Sequence, residues 1–179
     1  MRSYQKLIDR LREKGIQPKL HLLDNEFSEE FKEVINNNGM KYQLVPPHDH
    51  RRNISEKDIQ VFKYHFVSVL CGTDKKFPLK LWCQILPYAE HQLNLLQKSR
   101  ALTTMSAFAH MYGQHDYDSH SFALLGCDVK MHVMPSGRKT WESHTKTVYY
   151  LGTSWEHYLC HKVWIQETKS TRVVQTVFF

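Results

Sequence analysis

LHLLDNEFSEEFKEVINNNGMKYQLVPPHDHRRNISEKDIQVFKYHFVSVL, residues 20–70, alternates short apolar runs with segments of helical period. Lys19–Leu23 is too short for a helix and largely apolar, as befits a buried strand with helices on its faces. A helix is expected from Ser28 through Phe31, Val34 and Ile35, stopping at Asn36-Asn37-Asn38-Gly39. Met40–Val45 reads as a second strand, ended by Pro46-Pro47, and a polar loop, His48–Asn53, follows. A long helix is then expected from about Ser55 to Leu70, with Ile59, Phe62, Phe66 and Val69 as its apolar stripe. This alternation of strand and helix is the pattern of a layered α/β domain.

Outward from that stretch, Tyr4, Leu7, Ile8 and Leu11 repeat at helical spacing over residues 3–14, with Ser3 to cap the helix and Gly15 to end it. Downstream, Pro78 opens a helix through Leu81, Trp82, Ile85 and Leu86, and Pro87 is expected to kink or break it. The pattern weakens over 99–125, which reads as a connector with one helical turn around Ser106–Tyr112. From Cys127 the period becomes two. Strand-like runs at Val129–Val133, Thr147–Leu151, Tyr158–Ile165 and Arg172–Phe179 are rich in Val, Tyr, Trp and Thr. Pro135-Ser136-Gly137, Gly152-Thr153-Ser154 and Thr168-Lys169-Ser170 separate them as turns. Strands this short and this close suggest a small β-barrel. Two strands in the first half are too few for a stable sheet. The expectation is therefore a domain cut short at its N-terminus, with an apolar strand lacking neighbours and prone to aggregate.

The sequence has 179 residues, 24 Lys+Arg against 18 Asp+Glu, and a formal charge of +6. That excess fits contact with a polyanion, but it is spread along the chain rather than gathered in a tail. No run of apolar residues reaches membrane-spanning length, and Met1–Lys14 lacks the apolar core of a secretory signal. Cys71, Cys83, Cys127 and Cys160 lie far apart and form no CxxC, so neither a zinc ribbon nor a disulfide framework is signalled. The expected setting is intracellular, in nucleus or cytoplasm, with no membrane partner.

Asp24 follows an apolar strand, and open α/β sheets carry their functional residues at the carboxyl ends of strands. Glu56 starts the helix beyond the next strand. Two carboxylates brought into one cleft repel, and a divalent cation with oxygen ligands removes that repulsion. Asp24-Asn25 also reads as a turn, and Asn53-x-x-Glu56 and Ser55-x-x-Asp58 as capping boxes, so both readings stand. Arg51, Arg52, Lys57 and Lys63 would contact phosphates beside such a cleft, or form a solvated helix face. His48-Asp49-His50 lacks a third ligand nearby, and His157 and His161 fall in a strand region rather than on one helix face. Tyr149, Tyr150, Trp155, Tyr158 and Trp164 suit either base stacking or a β core.

The segments LLDNEFSEEF (22–31) and YQLVPPHDHRRNISEKDIQVFKYHF (42–66) resemble the integrase region of copia-type retrotransposon polyproteins. The resemblance continues through FPLKLW (77–82), SAFAHMYG (106–113), LLGCDVKMH (124–132), YYLGTSWEHYLCHKVW (149–164) and TVFF (176–179), nearly the whole chain. It implies an α/β chain: a partial RNase H-like core over 1–98 lacking its first three strands, a connector over 99–126, and a small SH3-like β-barrel over 127–179. It implies strand transfer of element DNA into host DNA with Mg²⁺ or Mn²⁺, and self-association is compatible with it. Asp24 matches the second of the family's three acids and Glu56 the third. Lys63 matches a basic position facing the element's DNA end, and Asn53 lies in the matching loop. The family's first acid and its His/Cys zinc module have no counterpart, and Asp9, on an amphipathic helix, is no substitute. The Asp24–Glu56 spacing is also shorter than the family's usual one. Weak metal binding and undetectable strand transfer are therefore expected. The competing expectations are a non-catalytic nucleic-acid-binding module and a translated relic of a mobile element.

Overall fold

The computed structural model describes residues 2–23, 28–46, 54–120 and 122–179. The chain forms two compact units, Met1–Val61 and Phe62–Phe179. The compact units part there, whereas the sequence pattern changes near residues 98 and 127.

The first unit is built from α1 (Arg2–Glu13), β1 (Leu20–Leu23), α2 (Glu29–Asn37) and β2 (Lys41–Leu44), and includes the start of α3 (Ile54–Cys71). Both α1 and α2 end as their glycines require. Gly15 and Gly39 take φ of 74° and 72°, and the following residues close the helix ends through Ile16 N–H to Leu11 O and Met40 N–H to Ile35 O, at 2.9 and 3.2 Å. This satisfies carbonyls that a simple helix end leaves open. β1 and β2 pair in parallel, Leu20 opposite Lys41 through Leu23 opposite Leu44. Alternation along β1 sends His21 and Leu23 to one side, where Ile8, Ile35 and Met40 complete a small core with Leu23. Tyr4 bonds His21 Nδ1 at 3.0 Å and packs on Phe31 at 4.7 Å.

The strand is not covered on both faces as the apolar run suggests. Leu20 and Leu22 remain 53% and 44% exposed, because α1 and α2 pack on the His21 and Leu23 side. Leu7 is likewise exposed, so the buried stripe of α1 is Tyr4, Ile8 and Leu11.

The second unit holds the rest of α3, then α4 (Trp82–Leu96), α5 (Ala107–Tyr112) and an antiparallel sheet of β3 (Asp128–His132), β4 (Thr145–Thr153), β5 (His161–Ile165), β6 (Ser170–Val174) and β7 (Val177–Phe178). The strand order is β6-β5-β4-β3-β7. Leu81, Ile85, Tyr88 and Ala89, at helical spacing, are buried in one cluster with Val129, Val148, Tyr150, Leu151 and Val163 of the sheet. The helix runs through Pro87 without a break. Ser106 caps α5, its Oγ accepting from Ala109 N–H at 3.1 Å. Phe66, Val69 and Leu70 of α3 pack against the cluster, but Ile59 of the expected stripe is 54% exposed. Gly152 is not in a turn as the sequence pattern suggests. It lies inside β4 at an irregularity of the β4–β5 register, where the ring of Tyr88 comes too close for any side chain.

Candidate functional site

β1 and β2 are parallel and in register, so their carboxyl ends lie side by side. Val45 N–H bonds Leu23 O at 2.8 Å and extends the ladder to that edge. Asp24 follows β1 directly in sequence, and the loop after β2 leads into α3. Asp24, Arg51, Arg52 and Asn53 lie outside the described residues, as do His48, Asp49 and His50. Glu56 occupies the first turn of α3, where its charge complements the helix dipole, and it is exposed. Lys57 and Lys63 on the same helix are also exposed. Glu56 and Lys63 are seven residues apart, two turns along nearly the same face. Among the described residues no group of three or more His, Cys, Asp or Glu has the arrangement to hold a metal ion. No helix there is long and apolar enough to cross a membrane.

The β-rich half puts part of the aromatic set in its core. Tyr149 and Tyr150 are core, at 6% and 1% exposure, and Trp164 packs against the same cluster. Trp155 stacks on Tyr88 with centroids 5.6 Å apart, while Tyr158 is exposed. His161 opens β5, and His157 in the loop before it bonds Ser154 Oγ at 3.2 Å.

Two features carry no sequence signature. One is a groove of about 690 Å³ at one end of the sheet, lined by apolar side chains such as Met131, Val133 and Ile165 together with the polar Arg138, Ser143, Lys146 and Arg172. The other is a cluster of His91, His115 and His120, from three separated positions. The His91 ring lies 5.0 Å from that of His115, 4.9 Å from Phe108 and 4.5 Å from Trp155. His91 Nε2 is buried with no hydrogen-bond partner among the described residues. Burial, then the nearby His115 and His120, lower the His91 pKa to about 4.

This has a consequence in acid. A histidine whose folded pKa is depressed contributes stability that is complete above its unfolded pKa near 6.5 and is lost as pH falls toward 4. Burial also lowers the pKa of His21 and His161, so they add to the same acid limb. The melting temperature is expected to drop as pH falls from about 6.5 to about 4. His91→Phe, which keeps the aromatic packing, should flatten that drop. An acid limb of unchanged steepness in His91→Phe would show that His91 does not carry it.

No protein-family model matches the sequence, and no curated protein sequence matches it. Among solved structures, a chain of the cryo-EM structure of the simian T-cell lymphotropic virus intasome in complex with PP2A regulatory subunit B56 gamma is similar. The identity is 10% and the TM-score 0.38, over 97% of this chain and 62% of that one. This chain thus spans less than two thirds of that neighbour's length, and a likeness at this level carries no argument about function.

Proposed function

We propose that the chain is derived from a retrotransposon integrase and acts through nucleic-acid binding, with Asp24 and Glu56 as the remnant of a metal-dependent strand-transfer site. The modules of this ancestry are an RNase H-like part over 1–98, a connector over 99–126 and an SH3-like part over 127–179. What supports the reading, beside the sequence resemblance, is the parallel strand–helix–strand unit. Its two strands end at one edge, an acid follows the first strand in sequence, and Glu56 stands in the first turn of the helix beyond the second. Open α/β sheets use that edge for chemistry.

In strand transfer a DNA 3′-hydroxyl attacks a phosphodiester, so one P–O bond forms as another breaks and the displaced 3′-oxygen leaves. Mg²⁺ or Mn²⁺, when bound, neutralises charge on the attacking and leaving oxygens. Asp24 and Glu56 would supply carboxylate ligands, and Arg51, Arg52, Asn53, Lys57 and Lys63 would hold DNA phosphates beside them. Asp24 and Glu56 match two of the family's three acids, and two carboxylates would hold such a cation more weakly than three.

Two measurements test this. Strand transfer in Mn²⁺ should stay below detection. Turnover that disappears in Asp24→Asn would replace the binding reading with a catalytic one. Affinity for duplex DNA should fall steeply with added salt, and the Arg51→Gln, Arg52→Gln pair should lower the log–log salt slope by about two. Affinity indifferent to salt would remove the nucleic-acid reading altogether.

A further inference from the structure

The groove at the end of the sheet has properties that the ancestral site does not require. Its walls come from the end of β3 and the loop after it, the start of β4, and the β5–β6 hairpin. Three of its lining side chains are cationic: Arg138, Lys146 and Arg172. Lys146 is paired with Glu167, but neither Arg138 nor Arg172 has an ion-pair partner among the described residues. The lining also includes one acid, Glu142, whose Oε2 accepts from Lys139 N–H at 2.9 Å.

The Nε of Arg138 is buried and has no hydrogen-bond partner among the described residues. That nitrogen is closed off from solvent, so a ligand in the groove would meet the guanidinium at its outer nitrogens, whose N–H groups suit an anionic oxygen. In the same loop, Trp141 precedes the lining residue Glu142 in sequence but does not itself line the groove; it is 97% exposed, and Met134 at the loop's start is 70% exposed. A tryptophan this exposed contributes almost nothing to the core, so its large apolar face is available to a ligand.

We infer that this groove binds a single strand of nucleic acid, its phosphates on Arg138 and Arg172 and an unpaired base stacked on Trp141. The charge balance of the lining favours a polyanion, and the Thr145 hydroxyl can donate to phosphate or sugar oxygens, whereas the Ser143 hydroxyl already donates to Thr145 O at 2.9 Å. The exposed ring selects between forms of that polyanion. In a duplex the base faces are already stacked on one another, whereas an unpaired base offers a free face to an aromatic platform. An acidic peptide satisfies the cations but leaves the indole without a planar partner. The inference rests on the nucleic-acid reading above and assigns it a place and a substrate form.

The test uses the full chain and a labelled oligothymidylate about 20 nucleotides long, a length that exceeds the site sizes of small single-strand-binding folds. Trp141→Ala removes no buried packing, so it should melt like the parent protein and bind about tenfold more weakly. Arg138→Gln should lower the salt slope by about 0.7, one single-strand phosphate contact. Unchanged affinity in Trp141→Ala overturns the inference, as does a polyglutamate peptide that binds the groove more tightly than the oligonucleotide. If the Arg51→Gln, Arg52→Gln pair abolishes binding while Trp141→Ala does not, the groove is wrong and the broader reading survives. If neither oligonucleotide nor duplex binds, both fall.

Discussion

Gly152→Ala is expected to lower the melting temperature of the full chain by about 10 °C or more, or to prevent the second unit from folding. An alanine Cβ at this position would lie 2.4 Å from both Cδ1 and Cε1 of Tyr88. Tyr88 cannot easily swing away, because it is 8% exposed and its other contacts include the stacked ring of Trp155. The backbone adds to the problem, since φ of 148° at Gly152 is a conformation that side chains disfavour. Overpacking of this kind costs about 1–3 kcal/mol, and backbone strain about as much again. A double-mutant cycle separates the two contributions. Tyr88→Ala should make the added methyl much less costly, leaving mainly the backbone share. If Gly152→Ala melts at the parental temperature, the close approach of β4 to α4 is wrong.

Ile35→Ala should strip hydrogen-exchange protection from α1, β1, α2 and β2. Ile35 is fully buried, and among the described residues the core it shares has Ile8, Leu23 and Met40 as its other buried members. Removing a buried Ile side chain costs about 2–5 kcal/mol. A unit of this size commands about 3–9 kcal/mol in total. One truncation therefore consumes much of its stability, and protection there should fall by about 1.5 to 3.5 decades, at about 1.4 kcal/mol per decade. Leu22→Ala, 44% exposed on the uncovered face, is the matched control and should change little. Equal loss of protection in the two variants would mean that the apolar core lies on the other side of β1.

How much of this was legible in the sequence depends on the range of the interactions involved. The ends of α1 and α2 are written locally: a glycine at the position that needs positive φ, after a run of helical period. The capped turn at Ser106 and the switch to period two after Cys127 are equally local, and the structure has α5 and five strands there. The candidate acids were legible only as a pattern, strand then Asp24 and loop then Glu56. Asp24 and the basic loop residues lie outside the described part of the chain, while Glu56, Lys57 and Lys63 are exposed on α3. The His91, His115 and His120 cluster left no trace because those residues lie on no common period. Trp141 sits in a turn-rich stretch where its exposure cannot be told from burial by spacing.

The amino-acid order by itself determined where α1 and α2 stop, where α5 is capped, the switch to strands after Cys127, and the mild basic charge, because each depends on side chains a few positions apart or on a simple sum. Only the tertiary structure decided which faces are covered. Leu20 and Leu22 look as apolar as Leu23, yet β1 buries only the Leu23 side, since a side chain is hidden by whatever lies across from it and not by its own character. The same holds for Gly152 and for Arg138. One is required by a ring contributed from 64 positions away in the chain, and the other has a buried Nε with no hydrogen-bond partner among the described residues, which no local pattern reveals.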